Sequence, residues 1–220
     1  MKKKIIIEMI GMPGSGKSYI QDQLIFKLRK YKLKKKGFYK QNKSKKIINF
    51  ILFILIYPIF SLKNFYYIYK KLDQKRKLLY YFLNESSLRI SDKYSKKQKI
   101  IINDEGFFYR SLEYFKSLNN NQGFLNYLNK IPEIDILIYV NSSKKNCLSR
   151  VIKRKNHNFK YSEDEKNSFY KKIKLMRFIS KFIQENKKIK IIKVNNDKLD
   201  MNKINKLVKI IKEDYENIAY

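Results

Sequence analysis

The sequence predicts an α/β fold in which helices cover both faces of a mainly parallel sheet. Three observations carry that expectation. Short runs rich in Ile or Val at 4–10, 99–103, 134–140 and 189–194 read as buried strands. Helical patterns over 17–30, 107–130, 144–155, 163–186 and 199–217 separate them, the alternation that builds a parallel sheet. Three of only six glycines, Gly11, Gly14 and Gly16, sit between the first strand and the first helix. With 220 residues, 44% hydrophobic and 15% aromatic, the chain is expected to form one domain over 1–220.

The first strand runs into Gly11-Met12-Pro13-Gly14-Ser15-Gly16-Lys17-Ser18, a full G-x-x-x-x-G-K-[ST] match. Chance supplies roughly 0.002 such matches in a chain of this composition. Glycine lets the backbone curl with its N–H groups inward, and the following helix adds the positive end of its dipole. The amides of Gly14 to Ser18 are thus expected to cradle phosphates. Lys17 would reach the β- and γ-phosphate oxygens, and the Ser18 hydroxyl would ligate Mg²⁺. The nucleotide-binding set is Gly11, Met12, Pro13, Gly14, Ser15, Gly16, Lys17, Ser18 and Tyr19, the last opening the helix with apolar residues at Ile20, Leu24, Ile25 and Leu28.

Residues 32–46 form a Lys-rich connector, and 47–95 is a long, mostly helical insertion. Its run from Ile47 to Phe60 holds no charge and is flanked by Lys43, Lys45, Lys46 and Lys63. A spanning helix needs about 20 apolar residues, and Pro58 interrupts this one early. The leading reading is a buried or lid helix. The next is an interfacial segment over 47–62 held by lysines and anionic lipid, and the last is a true span.

The second strand ends in Asn103-Asp104-Glu105-Gly106. Carboxylates at the carboxyl end of a buried strand face the crevice where open α/β sheets bind ligands. Asp104 is the metal candidate and Glu105 the catalytic base, with their roles exchangeable. An ordinary helix-capping acid is the plainer alternative. After the third strand, Asn141-Ser142-Ser143 reads as a helix start, and Arg150 and Arg154 follow at i, i+4 on one face. Two guanidinium groups so placed would clamp a transferring phosphoryl group from a lid-like segment over 144–165. The alternative is a solvated basic helix face. His157 reads as a surface residue, and Cys147 as half-buried packing.

These motifs resemble a P-loop kinase of the nucleoside and nucleotide kinase group, and are most similar to thymidylate-kinase-like proteins. The resemblance rests on 11–18, on Asp104-Glu105-Gly106, and on the Arg150/Arg154 segment. It implies a three-layer P-loop NTPase fold with a sheet of about five mainly parallel strands. It also implies that the phosphate loop and acidic strand are neighbours, that the insertion after the first helix binds the acceptor, and that an Arg-bearing lid closes over ATP. One departure is that thymidylate kinases carry Asp-Arg-aromatic after the acidic strand, and deoxynucleoside kinases Glu-Arg-Ser. Here the nearest arginine is Arg110. Arg110 and Phe107 are the acceptor-binding candidates, while Phe107, Phe108 and Tyr109 also read as plain core aromatics.

The net charge of +32 comes from 44 Lys and 7 Arg against 19 acids. Lys, Ile, Asn, Tyr and Phe make up 130 of the 220 residues, all encoded by A/T-rich codons, so base composition is the simplest source. Either way the charge attracts polyanions nonspecifically. One cysteine fits a reducing compartment, and no cleavage-site pattern follows Glu8. The expected location is cytoplasmic, with peripheral contact at the inner face of the membrane through 47–62. The expected function is ATP- and Mg²⁺-dependent phosphoryl transfer to a small-molecule acceptor, a nucleoside, nucleotide or sugar. The alternative is a P-loop ATPase working with a polyanionic partner, nucleic acid or anionic membrane.

Overall fold

A computed structural model describes residues 4–31, 34–37, 42–70, 75–93, 100–104, 106–114, 125, 127–129, 131, 134–154, 163–186, 188–198 and 201–219. The chain divides into two compact units, Met1–Lys35 with Gln98–Tyr220, and Lys36–Lys97.

The first unit is built on strands β1 (Ile5–Gly11), β3 (Ile100–Asp104), β4 (Ile136–Asn141) and β5 (Lys190–Asn195). Their order is β3-β1-β4-β5, and all three pairings are parallel. Four strands therefore make the parallel sheet proper, where about five were expected. The short β2 (Lys34–Gly37) borders β3 at the edge. It lies in the stretch read as a connector, because Lys-Lys-Lys-Gly offers no β-branched signal.

β1 is buried along its whole length, as a central strand covered on both faces must be. On one face, Ile5, Ile7 and Met9 join Ile100, Ile102, Ile136, Ile138, Val140 and Val194 in a single core. Helices α1 (Lys17–Lys27) and α8 (Met201–Ala219) close it with Ile20, Leu24, Ile204, Leu207 and Ile211. Tyr31 and Tyr215 meet edge to face at 5.6 Å at its border. On the other face, Ile6, Glu8 and Ile10 lie under α5 (Phe107–Tyr114), which packs on β1 and on α7 (Glu163–Asn186). α7 turns Leu175, Met176, Ile179 and Ile183 inward. Between them, α6 (Lys144–Arg154) follows β4 directly. Of the helix expected over 107–130, residues 107–114, 125 and 127–129 are helical, and the others lie outside the described residues.

The second unit holds α2 (Lys43–Ile56), α3 (Pro58–Lys70) and α4 (Lys75–Lys93). Pro58 separates the first two, since the residue before proline is steered out of the helical region and proline itself suits a first helical position. The interior is aromatic: Phe53, Phe60 and Phe65 gather around α2 and α4 with ring centroids 5.2–6.2 Å apart in edge-to-face contacts involving Phe50 and Phe82.

Candidate functional site

The phosphate loop lies at the carboxyl end of β1, the central strand, between β3 on one side and β4 on the other. That is the crevice in which open parallel sheets bind ligands. Gly14 and Gly16 have φ of 80° and 86°, the left-handed region that only glycine enters cheaply. Gly16 is the N-cap of α1 and no side chain caps that helix. The first-turn amides of α1 therefore present an anion-binding end with the helix dipole behind it. The Ser15 amide was expected in the cradle but closes the turn on the Met12 carbonyl at 3.0 Å. Ser18 and Tyr19 are exposed, while Lys17 is half-buried. The Lys17 ammonium lies over the Tyr109 ring, 4.3 Å from its centroid.

Tyr109 reaches the loop because α5 is tied to β1. Glu8, fully buried on β1, accepts hydrogen bonds from the amides of Phe108 at 2.6 Å and Tyr109 at 3.1 Å. The carboxylate thus serves as a remote N-terminal anchor for a helix a hundred residues away in sequence. Gly106 allows the approach, since a Cβ there would overlap the Glu8 carboxyl group. Asn103, paired in register with Glu8, is also fully buried.

Asp104 ends β3 beside this anchor. Its side chain, Glu105 and the Arg154 side chain lie outside the described residues. Phe107 and Arg110, the acceptor candidates, are 1% and 2% exposed. Phe107 and Phe108 are core aromatics.

Arg150 is engaged with the loop's own backbone. Its Nη1 donates to the Gly14 carbonyl at 3.3 Å and its Nη2 to the Asn196 carbonyl at 2.9 Å. Asn196, just past β5, is buried and donates from Nδ2 to the Ser15 carbonyl at 2.5 Å. The same side-chain amide fills the space a Cβ on Gly16 would need. Next to it, Asp197 Oδ1 accepts from the Ser143 amide at 2.7 Å, the Ser142 hydroxyl at 2.7 Å and Asn146 Nδ2 at 2.8 Å. Those donors, the Ser143 amide foremost, hold the Asp197 carboxyl well below the usual carboxylate range. The start of α6 is thereby pinned to the end of β5, and α6 carries Arg150 to the loop. Burial pushes the Cys147 thiol up from its ordinary pKa. A cavity of about 460 Å³ opens beside Met12, bordered by Tyr139, Lys144, Met176, Arg177 and Lys193.

Sequence reasoning named the loop, the acids and the arginines. It read Tyr109 as a core aromatic, whereas that ring is half-buried under Lys17, and it gave no site role to Glu8, Asn196 or Asp197. Glu8 had a signal, a lone carboxylate inside an apolar strand, and Asn195-Asn196-Asp197 closes the last strand with three polar residues. The loop can hold a nucleotide phosphate on its glycines, its α1 amides and Lys17. The Ser18 hydroxyl has the oxygen chemistry that Mg²⁺ takes, and its exposure leaves it accessible.

No protein-family model matches the chain, and no curated protein does. Solved structures do. Deoxyadenosine kinase from M. mycoides with bound dCTP aligns with 95% of this chain and 100% of its own, at 18% identity and a TM-score of 0.53. The same enzyme with bound dATP aligns at 18% identity over 94% and 99%, TM-score 0.52. With dCMP and a flexible dCDP bound, it aligns at 16% identity over 95% and 100%, TM-score 0.53. At such identity the likeness is one of architecture: this chain has the fold of P-loop nucleoside kinases.

Proposed function

We propose that the protein is an ATP- and Mg²⁺-dependent kinase that phosphorylates a small-molecule acceptor of the nucleoside or nucleotide class. The observation that carries this reading is the glycine loop of 11–18, formed with Lys17 at the end of the central strand of a nucleoside-kinase fold. In the proposed reaction an acceptor oxygen, the hydroxyl of a nucleoside or a phosphate oxygen of a nucleotide, bonds to the γ-phosphorus of ATP. The bond from that phosphorus to the β,γ-bridging oxygen breaks, and ADP leaves. Where the acceptor is a nucleoside hydroxyl, Glu105, or Asp104 in its place, takes its proton. Lys17 and the α1 amides hold the charge on the phosphate oxygens, and Arg154 is the remaining arginine for the transferring group. Arg150 supports the loop from behind through Gly14 and Asn196. Ser18 and Asp104 would hold Mg²⁺, which when bound neutralises phosphate charge.

A deoxynucleoside is the first acceptor to test, because solved structures similar to this chain are of an enzyme holding dATP, dCTP and dCMP. Nucleoside monophosphates, the thymidylate-kinase-like acceptors, form the second arm, and sugars the third. The assay is ADP release with ATP and Mg²⁺ against each acceptor, with phosphorylated product identified by mass. Failure of every acceptor to raise ADP release above that in water would overturn the kinase reading. A rise on adding RNA, DNA or anionic vesicles alone would favour the ATPase alternative. We place the enzyme in the cytoplasm, where ATP and a reduced Cys147 are both expected.

A further inference from the structure

Helices α2 and α3 carry apolar side chains on their outer face as well as on the aromatic face that packs inward. α2 turns Lys46, Asn49 and Phe53 inward, and Asn49 Nδ2 donates to the Ser87 hydroxyl of α4 at 3.2 Å. Burial pushes the Lys46 ammonium down from its ordinary pKa. Outward, in helical spacing, stand Ile47, Ile48, Ile51, Leu52 and Leu55, from 39% to 71% exposed. α3 repeats the pattern: Ser61 is buried while Ile59, Leu62, Tyr66 and Tyr69 are 61–69% exposed. Seven aliphatic residues, each at least 39% exposed, thus fall within 47–62, where an ordinary monomer scatters its exposed aliphatic residues singly.

The charge around this patch has one sign. Residues 42–72 contain no Asp or Glu, and Lys43, Lys45 and Lys63 are exposed beside the apolar residues. A second copy of the chain on this face would bring lysine against lysine between two bodies of charge +32. An anionic bilayer offers instead an apolar interior for the isoleucines and leucines and headgroup charge for the lysines. Tyr57, Tyr66 and Tyr69 are amphipathic rings suited to the boundary between them. Among the described residues no single helix is long and apolar enough to cross a membrane, and the pair Lys43–Ile56 and Pro58–Tyr66 is bent by 108°. We infer that the outer face of α2 and α3 is an anionic-membrane docking surface, on which both helices lie in the interfacial plane with their aliphatic side chains in the acyl boundary.

The chain contains no Trp, so a Leu55→Trp variant carries a single reporter at a 71% exposed position. Its emission would be read with vesicles of phosphatidylcholine alone, with equal parts phosphatidylcholine and phosphatidylglycerol, and with the latter carrying brominated acyl chains. The expected result is a blue shift with anionic vesicles only, and quenching by bromine. Adding Ile51→Glu and Leu62→Glu should weaken partitioning by more than about tenfold and leave the circular dichroism spectrum unchanged, because both side chains are exposed. Three results would overturn the inference. One is anionic-vesicle binding with no shift and no quenching, which is adsorption by net charge alone. Another is emission already blue without lipid, with the mass of a dimer, which makes the face a chain–chain interface. The third is no binding at all. None of these outcomes depends on kinase activity.

Discussion

Replacing Glu8 should uncouple α5 from the phosphate-loop strand. Glu8→Ala removes two hydrogen bonds accepted by one carboxyl oxygen, at 2.6 and 3.1 Å. It leaves the Phe108 amide buried without its acceptor and opens a gap beside a fully enclosed strand. Each such hydrogen bond contributes about 0.5–1.5 kcal/mol, and a buried amide left unpaired costs about 1–3 kcal/mol more. The expected loss is therefore about 3–5 kcal/mol, or roughly 10 °C in Tm for a chain of this size. Glu8→Gln keeps an oxygen acceptor in place and should cost only about 1–2 kcal/mol. Urea unfolding followed by circular dichroism measures both. Gly106 supplies an independent check, because its missing Cβ makes room for the Glu8 carboxyl group. Gly106→Ala should destabilise the parent by about 1–3 kcal/mol through overpacking. In the Glu8→Ala background that overlap is gone, so the pair should show a coupling energy of about 1 kcal/mol or more. Loss of less than about 0.5 kcal/mol in Glu8→Ala, or strict additivity of the two changes, would refute the anchor.

Arg150→Ala should release Gly14 and Asn196 together, lowering stability by about 1–3 kcal/mol and weakening binding of a nonhydrolysable ATP analogue by calorimetry. Arg150→Lys should recover only part of either, because one ammonium replaces a fork that spans two carbonyls. The Asp197 carboxyl is depressed in the folded chain, so it contributes stability above the unfolded value near pH 4 and loses it as pH falls further. Asp197→Asn should flatten the acid limb of a Tm-versus-pH curve, and an unchanged limb would remove Asp197 from the account. The Cys147 thiol, 1% exposed and with its pKa raised by burial, should react with a thiol reagent at neutral pH only as fast as the protein opens. Immediate stoichiometric labelling of the native protein would contradict that burial.

The separation between what was legible and what was not follows the range of the forces involved. The glycine loop of 11–18 is a local device: its turn is fixed by backbone geometry within eight residues, so spacing alone predicted it. The four long strands were legible for the same reason. Each is a run rich in Ile or Val, although the edge strand β5 is only partly buried, and the observed bounds fall within two residues of those expected. β2 escaped because its pairing at the sheet edge, not its composition, makes it a strand. The helix that carries Arg150 was legible from its spacing, but local spacing does not say what the Arg150 side chain meets. Only the pinning of α6 by Asp197 turns Arg150 onto Gly14 and Asn196. Likewise, the apolar run at 47–60 was plain in the sequence, whereas its outward direction depends on Asn49 finding Ser87 and Phe53 finding Phe82. Glu8 is the clearest case. A carboxylate in a strand becomes an anchor only when sheet register and chain crossover bring a helix N-terminus to it from a hundred residues away, and no local pattern encodes that meeting.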